Sequence, residues 1–163
     1  MQTVRDANGD RYLLVKRSAE SSRVRDPDTG EERYVDNATL TVVDGESPLT
    51  TAASGVPDSV RQLLRAVHND RSLGLLAVVV DGGPLSVIEL LDTTGMCESD
   101  LHGTVAELRA AGLLREADVA GRRGYAATEV AVEAVELLRD PSAETADPDL
   151  DSDPTVGSVD SDA

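Results

Sequence analysis

Arg122 and Arg123 stand side by side in the stretch Ala120-Gly121-Arg122-Arg123-Gly124-Tyr125, between two glycines. A guanidinium is planar, permanently charged and shaped to donate to phosphate oxygens and to the edge of guanine. An adjacent pair held out on a turn therefore suits a nucleic-acid backbone or groove. Other candidate chemistry is sparse. Cys97 is the single cysteine and His68 and His102 are the two histidines; these do not supply the ligand spacing of a metal site, so neither metal nor cofactor is expected. Asp26, Asp28, Gly30 and Glu32 resemble the opening of a calcium loop, but the remaining oxygen ligands and the distant bidentate glutamate are missing, and a tight turn is the better reading. No G-x-S-x-G, P-loop or dinucleotide fingerprint occurs, and the chain is not expected to be an enzyme.

The arginine pair stands out against its background. The 163 residues carry 31 acidic and 15 basic side chains, a formal net charge of -16, and Lys16 is the only lysine. Such a dense carboxylate surface stays hydrated where salt shortens the screening length to about 3 Å at 1 M. The acidity is thus expected to reflect work at high salt more than the nature of a partner. A single cysteine cannot close an internal disulfide, which points to a reducing cytoplasm. No run of 18 apolar residues and no signal-peptide core is present, so no membrane partner is expected.

The charge is unevenly spread. Residues 140–163 hold eight acidic and no basic side chains, half of the net charge, together with three prolines and almost no large apolar residue. Such a segment cannot offset its ordering entropy, and a disordered acidic tail is expected. Residues 1–45 alternate short β-rich runs (RYLLVKR, SRVRD, ERYV, TLTVV) with the turn signals DANGD and PDTG, which predicts a small antiparallel β domain of four or five strands. Residues 46–56, rich in Gly, Ser, Thr and Pro, read as a linker.

Residues 57–139 form the second domain. Val60, Leu63, Leu64 and Val67 recur at helical spacing over 58–70, and 72–80 is apolar almost all round, as expected of a buried helix. Ser86-Val87-Ile88-Glu89 is a capping box flanked by the staple pair Leu85 and Leu90, and it starts a short helix to about residue 92. After Thr93-Thr94-Gly95-Met96, Leu101, Val105 and Leu108 mark a helix over 98–111 that ends at Gly112. Two β-like runs, 113–119 and 125–128, surround the Arg pair, with Gly121 and Gly124 supplying the positive φ of a tight hairpin, and a helix over 129–139 follows. Helix, helix-turn-helix, hairpin and helix is the order of a winged helix. The fold class is therefore α+β: a winged helix-turn-helix domain preceded by a small antiparallel β domain.

The stretch GPLSVIELLDTTGMCESDLHGTVAELRAAGLL, followed by GRRGY and by Ala127-Thr128, resembles the DNA-binding domain of winged helix-turn-helix regulators of the ArsR and MarR type, in a form typical of salt-loving archaea. The likeness spans about residues 57–139. Its most specific parts are the L-x-x-x-G-L-L ending from Leu108 to Leu114 and the Arg-bearing wing. The resemblance implies a DNA-binding transcriptional regulator whose recognition helix, 98–111, lies in the major groove of double-stranded DNA beside a wing over 113–128. Helical projection from Leu101 turns Ser99, His102, Gly103, Ala106, Glu107 and Ala110 away from the core, with Asp100 at the margin. Of these, Ser99, His102 and Gly103 are the candidate base-proximal residues. No Arg or Lys shares that face, which departs from the usual pattern and leaves Arg122 and Arg123 as the candidate cationic contacts, suited to a narrow minor groove. Cys97, at the start of this helix where free amides favour a negatively charged sulfur, is a candidate redox switch. The apolar stripes Val60, Leu64, Val67 and Val135, Leu138 predict a homodimer. A winged helix that serves as a protein-protein adaptor and binds no DNA is the competing reading.

Overall fold

The computed structural model describes residues 1–140, so the expected acidic tail, apart from Asp140, lies outside the described residues. Strands β1 (Gln2–Arg5), β2 (Arg11–Arg17), β3 (Ser21–Arg25), β4 (Glu32–Asp36) and β5 (Thr41–Val42) form one antiparallel sheet in the order β4-β3-β2-β1-β5. The turns that join them are built from their own side chains. Asp6 accepts from the amides of Asn8 and Asp10, and Asp26 from the amide of Asp28. The calcium-like residues thus close a tight turn, in which the Gly30 amide donates to the Asp26 carbonyl at 2.9 Å.

Alternation along the strands sends Val4, Tyr12, Leu14 and Val24 to one face, where Val35, Leu40 and Val42 close over them as a small apolar core. The opposite face carries Thr3 and Leu13 and is covered by a helix, α1 (Pro48–Ser54), whose buried Thr51 meets Thr3 hydroxyl to hydroxyl at 2.7 Å. The segment read as a linker is therefore partly helical. Ser47 caps it by accepting from the Leu49 amide and Pro48 occupies its first turn, a local start signal that outweighs the Gly/Ser/Thr composition. Beyond it the chain passes so close to the β3–β4 turn that a Cβ on Gly55 would lie 1.9 Å from the Pro27 carbonyl oxygen.

The rest of the described chain is a winged helix-turn-helix. Helices α2 (Asp58–Ala66), α3 (Asp70–Gly82), α4 (Val87–Thr94), α5 (Glu98–Ala110) and α6 (Glu129–Arg139) surround a core of Leu63, Leu75, Leu76, Val79, Leu90, Leu101, Val105, Leu108, Leu113 and Tyr125. Leu101, Val105 and Leu108, at i, i+4 and i+7, are all buried, and each such side chain contributes about 2 kcal/mol by leaving water. The capping box at the start of α4 is complete: Ser86 Oγ accepts from the Glu89 amide while Glu89 Oε2 accepts from the Ser86 amide and hydroxyl. Gln62 of α2 donates to the Ala111 carbonyl at 2.6 Å and so satisfies the end of α5. Gly112 follows with φ 73°.

Three expectations are corrected here. Helix α3 is not buried all round: Leu75, Leu76 and Val79 enter the core, whereas Leu73 and Gly74 face water. The wing is a three-stranded sheet in the order β6-β8-β7, because Leu85–Ser86 (β6) pairs with β8 (Arg122–Ala127) alongside β7 (Leu114–Val119). The apolar stripes on α2 and α6 are also mostly consumed within the chain. These helices pack on each other, and Val60 and Val135 are buried, leaving Leu64 and Leu138 exposed at 61% and 50%.

Candidate functional site

The hairpin turn itself is Ala120-Gly121, with φ 52° and 77°, a two-residue connection with positive φ at both positions. Asp118 steadies it by accepting from the Gly121 amide at 2.9 Å. Val119 pairs with Arg122 and Asp118 with Arg123, so the two arginines open β8 and do not sit at the tip. Consecutive strand residues point to opposite faces; the pair is split between the two sides of the wing.

Gly124 is not a turn residue either. It lies inside β8, opposite Ala117 on one side and Ser86 on the other. A Cβ there would stand 2.3 Å from the Leu85 carbonyl oxygen and 2.8 Å from Val119 Cγ2. The glycine is what lets β6 approach, and it thereby joins the wing to the capping box of α4.

Arg123 faces α5. Its guanidinium donates to Glu116 Oε1 at 2.8 Å, and Arg109, in the last turn of α5, reaches the same oxygen at 3.2 Å. Both guanidinium carbons lie 5.9 Å from the centroid of the Tyr125 ring, which is 2% exposed and fixed in the core. The hydrogen bond that Arg123 donates to Glu116, followed by the negative charge nearby, makes Arg123 hold its proton still more firmly than usual. Arg122, on the other face, makes no ion pair within 4 Å among the described residues. It is instead the nearby positive charge at Glu89, whose carboxyl lies below the usual glutamate range chiefly because Ser86 donates to it from hydroxyl and amide, with Arg122 adding a smaller pull.

On α5, Ser99, His102, Gly103, Ala106, Glu107 and Ala110 are all exposed, and Thr104 is half-buried. Asp100 is engaged by Arg71 of α3 at 3.1 Å and His102 faces Glu98 at 3.6 Å. No heavy atom lies within 4 Å of a Cβ placed on Gly103, so nothing in the packing of the chain demands a glycine at that site. Cys97 is the N-cap of α5. It is exposed, its backbone is extended, and its Sγ lies 3.3 Å from Ser99 Oγ. It also borders an open groove of about 350 Å³ with Arg71, Leu75, Val78 and Met96. Among the described residues no group of three or more His, Cys, Asp or Glu side chains could hold a metal ion.

The sequence reading missed Arg109 and Glu116. Arg109 sits in the last turn of α5, at the end opposite Ser99, His102 and Gly103. Glu116 gains meaning only from the hairpin register, in which it lies across from Tyr125. That register follows by counting outward from a two-residue turn at Ala120-Gly121, and placing the turn over all of 120–124 hid it.

No curated protein matches the chain. Among solved structures, HlyU from Vibrio cholerae is 30% identical, with 50% of this chain and 88% of that one covered and a TM-score of 0.43. NolR from Sinorhizobium fredii is 20% identical, with 63% and 97% covered and a TM-score of 0.45. The homodimeric winged helix-turn-helix DNA-binding domain Mb0332 from Mycobacterium bovis is 22% identical, with 63% and 91% covered and a TM-score of 0.45. Residues 1–139, the sheet and the winged helix together, match the model of a family of unknown function (DUF7346), and the chain belongs to that family.

Proposed function

We propose that the protein is a cytoplasmic transcriptional regulator that binds double-stranded DNA as a homodimer. Residues 57–139 are the DNA-binding unit, preceded by the small sheet. The observation that carries this reading is the union of two surfaces on one rigid core. Helix α5 exposes a strip of small and polar side chains, and the wing beside it carries arginines on both faces. Ser99, His102 and Gly103 face the major groove at the N-terminal half of α5, where small side chains permit close approach. Arg122 and Arg123 contact the backbone or the minor groove. Leu64 and Leu138, left uncovered on α2 and α6, are sealed by the second copy.

The acidic surface adapts this machinery to high salt, where counterion release contributes little and a few shaped arginine contacts replace a broad basic patch. Cys97 acts as a redox switch: oxidation of its exposed sulfur, 3.3 Å from the Ser99 hydroxyl, disturbs the groove-facing end of α5. Peroxide then weakens DNA binding in the wild type and leaves Cys97→Ser unaffected; an equal response of both proteins removes the switch.

The central test is selection of bound duplexes from a random pool, followed by binding titrations in molar KCl. Arg122→Ala/Arg123→Ala is expected to weaken binding by about tenfold or more. An unchanged affinity rejects the wing contact. The acidic residues Glu98, Asp100 and Glu107 on the exposed side of α5 favour a second reading, an adaptor docking on a basic protein. That reading gains if no duplex is selected.

A further inference from the structure

Two guanidiniums from different elements converge on one carboxylate oxygen, Glu116 Oε1, at 3.2 Å from Arg109 and 2.8 Å from Arg123. An anionic oxygen held by two guanidiniums at these distances is also how a phosphodiester is bound. We propose that Arg109 and Arg123 form a clamp for one phosphate of the DNA backbone, and that Glu116 is its built-in competitor, occupying the phosphate position until DNA displaces it. This rests on the DNA-binding reading above and adds to it a site that spans α5 and the wing.

Three features support the exchange. First, the clamp does not depend on Glu116 for its shape, because both guanidiniums lie 5.9 Å from the buried Tyr125 ring, an aromatic face that attracts cations. Second, the carboxylate is displaceable. The side chains of Arg109, Glu116 and Arg123 are 40%, 51% and 62% exposed, and ion pairs this open to water hold weakly. Third, there is room for a backbone. An open groove runs beside the clamp, lined by Ala106, Arg109, Ala110, Leu114, Arg115 and Glu116. Its helical wall presents two alanines, which let a sugar-phosphate strand come close, and Arg115 adds a further cation at its edge.

Competition of this kind subtracts from non-specific binding. With Glu116 ionised, two cations and one anion leave a single net positive charge at the clamp, and any duplex must first remove the carboxylate. A site that also engages α5 and the rest of the wing offsets that cost, whereas a random site does not.

The test is duplex binding by the full chain, titrated against KCl, for wild type, Glu116→Gln and a charge control, Glu31→Gln, an exposed glutamate in the β3–β4 turn. Glu116→Gln is expected to bind random duplex about tenfold more tightly, with a plot of log K against log salt steeper by about one. The control is expected to match wild type. Arg109→Gln is expected to weaken binding several-fold, and in combination with Glu116→Gln to cancel most of the gain. Thermal melts of each variant verify that the fold is retained. If wild type binds DNA but Glu116→Gln gains nothing, or Arg109→Gln loses nothing, the clamp is rejected while the regulator reading stands. If neither wild type nor Glu116→Gln binds any duplex, both fall together.

Discussion

The exposed face of α5 and the wing lie on the same core yet are built in opposite ways. The helix face is made of Ser99, His102, Gly103, Ala106, Glu107 and Ala110, without a cation until Arg109 in its last turn. The wing places Arg115, Arg122 and Arg123 on two short strands, and two carboxylates, Glu116 and Glu89, temper its charge. Shape is concentrated on the helix and charge on the wing. In a chain with net charge -16 this separation is informative: on the proposed reading, the cations reach a backbone without lining the surface that meets the bases.

Two glycines, one in each region, give the sharpest way to break that contrast. Gly124→Ala puts a methyl 2.3 Å from a backbone oxygen of β6. Backbone cannot yield as a flexible side chain does, so a loss of about 3 kcal/mol is expected together with detachment of β6. Gly103→Ala meets open space inside a helix and is expected to stabilise the fold by about 0.5–1 kcal/mol. Denaturant melts read both signs. The second variant carries a further expectation: it weakens DNA binding, since a methyl on the groove face holds the helix off the bases. A Gly103→Ala protein that is both more stable and an equally good binder removes Gly103 from the interface.

The next effect in size is that of Arg122→Ala/Arg123→Ala on affinity, and separating the pair sharpens the contrast further. Arg123 belongs to the clamp with Arg109, whereas Arg122 lies on the opposite face near Glu89. Arg123→Ala is therefore expected to abolish the gain conferred by Glu116→Gln, and Arg122→Ala to leave that gain intact.

What the sequence made legible was local. The capping box, the L-x-x-x-G-L-L ending and the i, i+4, i+7 core of α5 are each specified within about one or two helical turns, and the structure reproduces them. The misses were of other kinds. Strand β6 is two residues long and exists only because β8, nearly 40 residues on, has a glycine at the crossing point. No periodicity signals a pairing of that length. Helix α1 was hidden by composition although Ser47 and Pro48 announced it. The apolar stripes of α2 and α6 were visible, but whether they face each other or a second copy is a tertiary question, and they largely face each other. The arginine pair was legible as chemistry and its division between two faces was not, since that depends on where the two-residue turn falls.

The smallest expected effect concerns Glu89, the counterpart of Glu116 on the other side of the wing. Its carboxylate accepts from Ser86 hydroxyl and amide at 2.7 and 2.8 Å, and these bonds, with Arg122 behind them, hold its folded-state titration below the usual glutamate range. A group depressed in this way stabilises the fold above its unfolded pKa, and that contribution disappears as pH falls through the depressed folded value. Glu89→Gln retains an acceptor for the box but loses the charge. The melting temperature of wild type is therefore expected to exceed that of Glu89→Gln at neutral pH, with the gap closing in the acid range below pH ~4. In DNA binding the substitution relieves Arg122 of a neighbouring charge but not of a direct ion pair, so its gain is expected to be smaller than that of Glu116→Gln. A larger gain would mean that the face of the wing carrying Arg122, not the clamp, meets the backbone first.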